Sequence, residues 1–274
     1  RNQSKLDKAI ERIKSTNPSA VLKTGIADLS DQQSIRDYAQ GFLATGETID
    51  VLINNAGVMV CPFGKTADGI EMQFGTNHIG HFLLTNLLMP AILAGANPRI
   101  VNLSSAGHTH SDVNLDDPNF EKSEYNAWES YGRSKSANIH FTQEIVRRYG
   151  DRIQSFAVHP GVIMTELGRH LTPELMNEMT ERVKSRATSS SEAKETGALP
   201  FKSVEAGAAT QVWASVTENL SENNGAYLGD CQVGVEGGNP SESGYLPYIF
   251  NKDTAEALWS LSEKLVKQEF PQLI

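Results

Sequence analysis

The chain has 274 residues, of which 39% are hydrophobic, and a formal net charge of −9 at pH 7. This length is enough to bury a sizeable core as one large domain or two small ones. The acidic balance argues against nucleic-acid binding, which needs clustered Lys and Arg, and favours a small-molecule ligand.

Neither a membrane span nor a disulfide framework is indicated. No apolar run in the sequence reaches the roughly 18 residues of a spanning helix, so any anchor would have to lie outside this sequence. The two cysteines, Cys61 and Cys231, lie far apart without metal-like spacing. They predict free thiols in a reducing compartment, the cytoplasm.

Helix-like and strand-like hydrophobic periods alternate along the chain. The predicted elements, in chain order, are helix 4–14, strand 20–29, helix 34–43, strand 49–57, helix 74–93, strand 98–105, helix 128–149 and strand 152–161. Strands as continuously apolar as 49–57 and 98–105 are typical of a sheet that is buried on both faces. The alternation predicts an α/β fold with a parallel, doubly wound sheet, and ligands are expected beyond the carboxyl ends of its strands.

The pattern Tyr-x-x-x-Lys occurs twice, as YGRSK over 131–135 and as YIFNK over 248–252. Residues four apart share one face of a helix, so either pair could place an ammonium beside a phenol. Only YGRSK begins a helical stretch between two buried strands. YIFNK follows Pro247 and runs into a predicted helix cap near Asn251, which favours a loop or strand tail packed on the C-terminal helix.

Five motifs in one order resemble the short-chain dehydrogenase/reductase family. They are NNAG over 54–57, NHIGHFLLT over 77–85, IVNLSS over 100–105, YGRSK over 131–135 and HPGVIMT over 159–165. The resemblance covers nearly the whole chain. Within the family, FGTNHIGHFLLT and the long stretch between Ser105 and Tyr131 look most like the retinol dehydrogenase and WW-domain oxidoreductase type. This resemblance implies a Rossmann-like fold and NAD(P)-dependent interconversion of an alcohol and a carbonyl.

The implied chemistry needs a proton donor or acceptor at oxygen while hydride moves at carbon. By resemblance, Tyr131 is the acid/base, and Lys135 tunes it and holds the nicotinamide ribose. Ser105 would hydrogen-bond the substrate oxygen, and Asn77 would position a water that extends a proton relay from Lys135. A free Tyr has a pKa of about 10, so the ammonium of Lys135 and the oxidised nicotinamide are expected to lower the pKa of Tyr131.

A cofactor site follows from the same resemblance. Its expected residues are Arg1, Asp28, Leu29, Asn55, Ala56, Gly57, Tyr131, Lys135, Pro160, Gly161, Ile163 and Thr165. Arg1, with no acidic residue competing, resembles the contact to the 2′-phosphate of NADP and favours NADP(H) over NAD(H). No metal is implied.

The family's Gly-rich turn, TGxxxGxG, occurs nowhere in the sequence. We therefore expect the sequence to be an excerpt of a longer chain. Residues 1–274 would form one dinucleotide-binding domain that starts about 40 residues late and lacks its N-terminal βαβ portion. The strand over 20–29 would lose its ladder partner, and the strand over 49–54 would expose an unpaired edge. Residues 1–274 alone are expected to be poorly soluble and to bind NADPH weakly.

A substrate loop or lid is expected over about 162–203, where LTPELMNEMTERV is amphipathic. Its apolar side chains predict a pocket wall for a small, lipophilic carbonyl or alcohol substrate, although core or interface packing would give the same stripe. These side chains are the two methionines of MNEM with Leu167, Leu171, Leu175 and Val183. The oligomeric state stays open, a homodimer included.

Some alternatives stay open on the sequence. His78 and His81, three apart on a helix, could ligate a metal, but a structural or substrate-lining role is favoured. His108 and His110 could contact substrate or lie in a solvated loop. Asn54 could cap a strand end. The second class of function is a dinucleotide-binding scaffold or redox sensor without turnover, against which the intact catalytic groups speak.

Overall fold

The computed structural model describes residues 2–186 and 201–272. Within these residues, one sheet has the strand order β1-β2-β3-β6-β7, parallel from β1 to β6 and antiparallel between β6 and β7. Two small sheets pair β4 with β5 and β8 with β9. The strands are β1 (Val51–Asn54), β2 (Arg99–Leu103), β3 (Gln154–His159), β4 (Val162–Ile163), β5 (Phe201–Lys202), β6 (Tyr227–Gly229), β7 (Gln232–Val233), β8 (Val235–Glu236) and β9 (Gly244–Tyr245).

Helices alternate with the strands of the main sheet. They are α1 (Gln3–Thr16), α2 (Gln32–Leu43), α3 (Met72–Phe74), α4 (Gly80–Leu93), α5 (Ala127–Tyr149), α6 (Pro173–Arg186), α7 (Val204–Val216) and α8 (Lys252–Val266). A π turn, Gly75–Ile79, joins α3 to α4, and a 3-10 turn, Ala106–His110, follows β2. In the part of the chain that the structure describes, no helix combines the length and apolarity needed to cross a bilayer.

The main sheet is covered on both faces because its side chains alternate. Ile100 of β2 packs in a cluster with Phe82 of α4 and Trp259 of α8. The next residue, Val101, points the other way and packs with Ala214 of α7. All five residues of β2 are buried, and each large apolar side chain so placed contributes about 1.5–3 kcal/mol. The predicted α/β fold with a doubly wound, mostly parallel sheet is confirmed.

The strand predicted over 20–29 is wrong. Residues 20–28 have no regular structure, and Val21 is 91% exposed. A strand needs a neighbour for its backbone hydrogen bonds, and β1 is the outer strand of the sheet within the described residues. Its open edge leaves Val51 and Ile53 38% and 40% exposed. Helix α1 forms as predicted, although none of its residues is fully buried.

Candidate active site

A cavity of about 800 Å³ opens where β1, β2 and β3 end. Asn55 and Gly57 line it after β1, Ser105 after β2 and Gly161 after β3. This is the edge of a parallel sheet at which α/β proteins bind ligands. The volume fits a small molecule together with part of a cofactor.

Helix α5 brings Tyr131 and Lys135 into this cavity. The helix begins after Asn126, whose side chain caps it by accepting from Glu129 N at 2.9 Å. Tyr131 and Lys135 are then one turn apart, and Lys135 Nζ lies 5.6 Å from the centroid of the Tyr131 ring. Both residues are only 4% exposed.

Two hydrogen bonds fix α5 against the end of β2. Lys135 Nζ donates to the carbonyl oxygen of Leu103 at 3.0 Å. The hydroxyl of Ser104 donates to the carbonyl oxygen of Lys135 at 2.9 Å. The next residue, Ser105, caps the 3-10 turn by accepting from Gly107 N at 3.0 Å. Its side chain also hydrogen-bonds Tyr131.

Burial decides the protonation of the two central groups. It raises the pKa of Tyr131 to about 12, and the hydrogen bond from Ser105 offsets only part of this rise. Burial also lowers the pKa of Lys135 to about 8. Among the protein's own groups burial has the largest effect on the pKa of Tyr131, and the expected lowering by Lys135 together with the oxidised nicotinamide stays a prediction. At neutral pH the phenol is protonated and can act as a proton donor.

Asn77 lies in the π turn, a feature that often marks functional sites. Its side chain accepts from Val58 N at 2.8 Å and donates to Val58 O and Ser134 Oγ, both at 2.9 Å. A β-carbon on Gly57 would stand 2.8 Å from Asn77 Oδ1 and 3.9 Å from Lys135 Nζ. Asn77 thus ties the end of β1 to α5, and its role in a proton relay stays a prediction.

Most of the predicted cofactor residues meet at the cavity. The lining includes Asn55, Ala56, Gly57, Tyr131, Lys135, Pro160, Gly161, Ile163 and Thr165. The φ of Gly161 is +89°, a conformation that side chains other than glycine's rarely allow.

Three predicted cofactor residues are not brought to this cavity. Asp28 accepts from Ser30 N at 3.0 Å within its own turn, and Leu29 packs against the main core. Neither residue is among the described ones that line the cavity. Arg1 lies outside the described residues.

The rest of the wall is largely apolar. It includes Met59, Trp128, Met164, Leu167, Leu171, Met176, Met179, Phe201 and Val204. Trp128 stacks on His110, with ring centroids 5.2 Å apart at 22°. The predicted amphipathic stretch forms α6, and Leu175 packs beside this wall. The Val183 side chain and residues 187–200 lie outside what the structure describes.

The four histidines singled out in the sequence divide into two pairs. His78 and His81 have structural partners, since His78 hydrogen-bonds Ser262 Oγ at 2.9 Å and His81 lies 2.8 Å from Asn77 O. His108 is buried rather than solvated, with Nδ1 2.7 Å from Ser105 O, whereas His110 lines the cavity. Motif reasoning passed over His159, which also lines the cavity and is 2% exposed.

The second Tyr-x-x-x-Lys pattern lies outside this cavity's described lining. Tyr248 sits in a 3-10 turn, Pro247–Phe250, and donates to the carbonyl oxygen of His108. The predicted cap near Asn251 is confirmed, because its side chain accepts from Thr254 N at 3.0 Å at the start of α8. Asn54 is likewise structural, bridging Thr85 and Asn102.

Comparisons with known proteins find similar sequences and a similar fold. The sequence profile of a family described as short chain dehydrogenase matches residues 1–175. Retinol dehydrogenase 14 of Homo sapiens is 39% identical over 240 residues, 87% of this chain and 65% of that protein's length. Retinol dehydrogenase 13 of Homo sapiens is 36% identical over 274 residues, 100% of this chain and 77% of that protein.

A solved structure shows the same fold. An uncharacterised protein from Mycobacterium paratuberculosis superposes with a TM-score of 0.67 at 30% identity, covering 95% of this chain and 81% of that one. The chain spans somewhat less than two thirds of the length of Retinol dehydrogenase 14, since the match covers 65% of it.

Proposed function

The chain belongs to the short-chain dehydrogenase family, and we propose that it is an oxidoreductase that interconverts an alcohol and a carbonyl with a nicotinamide dinucleotide. The observation that carries the proposal is the convergence of Tyr131, Lys135 and Ser105 on one cavity at the carboxyl ends of the strands. A phenol, an ammonium and a hydroxyl so arranged can supply a proton to a substrate oxygen and stabilise the charge that forms there.

The side chains divide the work in carbonyl reduction. Tyr131, protonated at neutral pH, gives its proton to the carbonyl oxygen as that oxygen becomes an alcohol. Ser105 donates its hydroxyl proton in a hydrogen bond to the same oxygen and so orients it. Lys135, held by the Leu103 carbonyl, keeps a positive charge beside that phenolate. Asn77 is proposed to extend the proton relay that returns a proton to Tyr131 through Lys135.

The backbone around the cavity suits a dinucleotide. Gly57 has no room for a side chain in front of Asn77 and Lys135, and the left-handed Gly161 opens the turn after β3. Together with Pro160, Ile163 and Thr165 these residues would hold the nicotinamide half. The bound nicotinamide would supply the hydride. We propose NADP(H) rather than NAD(H) as the cofactor, on the basis of Arg1 in the sequence. We also propose that Asp28 and Leu29 contact the cofactor nearer its adenine.

The substrate is proposed to be lipophilic. Methionines from three segments, Met59, Met164 and Met179, line the cavity with Trp128, and methionine-rich walls adapt to apolar ligands of varied shape. The relatives named retinol dehydrogenase carry the name of a lipophilic alcohol. We take the segment 162–203 as the substrate loop of a single domain, with α6 as its described helical part.

Two further assignments are part of this proposal. Cys61 and Cys231 are both free thiols, which fits the cytoplasmic location expected from the sequence. A homodimer is the proposed assembly, and light scattering of the full-length protein would test it.

Steady oxidation of NADPH by the full-length protein tests the proposal. A reactive carbonyl, such as an aryl aldehyde or a quinone, should be consumed in proportion to the NADPH, with NADH a poorer donor. Replacing Arg1 by Ala should reduce the preference for NADPH over NADH, measured as the ratio of their kcat/KM values. Binding of NADPH without turnover on a panel of carbonyls and alcohols would instead identify a scaffold or sensor.

A further inference from the structure

His159 is the last residue of β3 and joins two loops of the candidate active site. Its Nδ1 accepts from Ala106 N at 3.2 Å, on the 3-10 turn that Ser105 begins. The same Nδ1 lies 3.4 Å from Gly161 N, in the turn after β3. One buried ring nitrogen therefore accepts from two backbone donors, on two separate turns that line the cavity.

These contacts determine the proton on the ring. A backbone N–H can only donate, so Nδ1 must be unprotonated, and the neutral imidazole carries its proton on Nε2. Nε2 makes no hydrogen bond of normal length among the described residues, although the Ser241 backbone favours a proton on the ring. A charged ring would turn Nδ1–H toward both donors and break both contacts.

The surroundings keep the ring neutral. Burial lowers the pKa of His159 to about 4, and positive charge from His108 and Lys202 adds to this effect. Asp230 and the Ser241 backbone act in the opposite direction but less strongly. Lys202 forms an ion pair with Asp230, so their opposite effects on the pKa of His159 partly cancel. Near neutral pH the two-loop contact is therefore intact.

We propose that His159 is a positioning residue that sets the distance between the Ser105 turn and the turn of Pro160 and Gly161. The inference rests on the proposed function, in which the first turn orients the substrate oxygen and the second faces the nicotinamide. Ala106 directly follows Ser105, so movement of its N–H moves the Ser105 hydroxyl. Misplacement by about 1 Å can slow a reaction on the order of 100-fold.

Two near-isosteric variants separate this role from simple packing. His159→Asn places an amide oxygen close to the position of Nδ1, whereas His159→Gln places its amide near Nε2 and leaves Ala106 N and Gly161 N without an acceptor. We expect His159→Asn to keep kcat near the wild-type value. His159→Gln should lose about tenfold or more in kcat at temperatures well below the melting temperature of the variant.

The split between kcat and KM adds a readout that packing alone would not move. A displaced Ser105 no longer orients the substrate oxygen, whereas the apolar wall of the cavity keeps its residues. In His159→Gln the loss should therefore fall on kcat with KM little changed, and His159→Asn should change neither. Equal losses in the two variants, or no loss in either, would overturn the positioning role.

An activity-independent measurement covers the case in which the protein does not turn over. Imidazole ¹⁵N NMR of the full-length protein should show a neutral His159 ring with its proton on Nε2 between about pH 6 and 8. A proton on Nδ1, or a charged ring in this range, would contradict the inference even if the enzyme is active. Absence of turnover with the expected tautomer would overturn only the proposed function.

Discussion

Gly107 lies so close to the phenol ring of Tyr131 that a β-carbon on it would stand 2.6 Å from Cε1 and 2.8 Å from Cδ1. The ring cannot easily retreat, because Tyr131 is 4% exposed and packs with Val60 and Trp128. This contact allows the turn that carries Ser105 to reach the phenol. Glycine at this position is thus part of the geometry of the site.

Gly107→Ala should therefore impair both stability and activity. The extra methyl group pushes Tyr131 and Ser105 apart, which should cost about 1–3 kcal/mol in the free energy of unfolding. We expect kcat to fall about tenfold or more, since the phenol and hydroxyl act on one oxygen. Gly41→Ala is the matched control, because Gly41 is exposed in α2 with no atom within 4 Å of its β-carbon. That variant should keep kcat and gain about 0.5–1 kcal/mol.

Lys135 should give the folded protein a distinct pH dependence. Its pKa in the folded protein, about 8, lies below its usual 10.5, so the unfolded chain binds more protons between these values. The free energy of unfolding must then rise with pH across this window. Urea unfolding at pH 8 and at pH 10 measures this rise. The increase in the free energy of unfolding between the two pH values should be larger by about 2 kcal/mol in the wild type than in Lys135→Met. Equal changes in the two proteins would show that the amine is not desolvated.

Trp128 should set the preference for large apolar substrates. Its Nε1 has no hydrogen-bond partner among the described residues, so Trp128→Phe removes ring area without leaving a polar group unpaired. We expect kcat/KM for a two-ring aryl aldehyde to fall about tenfold, and kcat/KM for a short aliphatic aldehyde to change little. The ratio of the two is the measurement. A uniform change in both would place Trp128 outside the substrate wall.

The elements that could be predicted were those with local signals. The helix around 128–149 carries its own cap and periodicity and forms near its expected bounds. The stretch 49–57, predicted as an apolar strand that runs into a turn, forms a strand over Val51–Asn54. The order of the motifs then placed Ser105, Tyr131 and Lys135 at one edge of the sheet, which the structure shows as one cavity.

The features that the sequence did not predict depend on contacts with distant parts of the chain. A strand over 20–29 forms only if a neighbouring strand pairs with its backbone hydrogen-bonding groups. The sequence of that segment does not show whether such a neighbour is present. Burial raises the pKa of Tyr131, and Val60 contributes to this burial from a distant segment of the chain. His159 gains its role only because β3 ends beside Ala106, 53 residues earlier in the chain.

Two variants that each remove a phenol hydroxyl distinguish an acid/base role of Tyr131 from a role in packing. Tyr131→Phe should lose ~100 to 10,000-fold in kcat for NADPH-dependent carbonyl reduction by the full-length protein, while NADPH binding by fluorescence titration persists. Tyr248→Phe removes the hydrogen bond to the His108 carbonyl, outside the described lining of the cavity, so it should keep most of its turnover. Comparable turnover of the two variants would contradict the assignment.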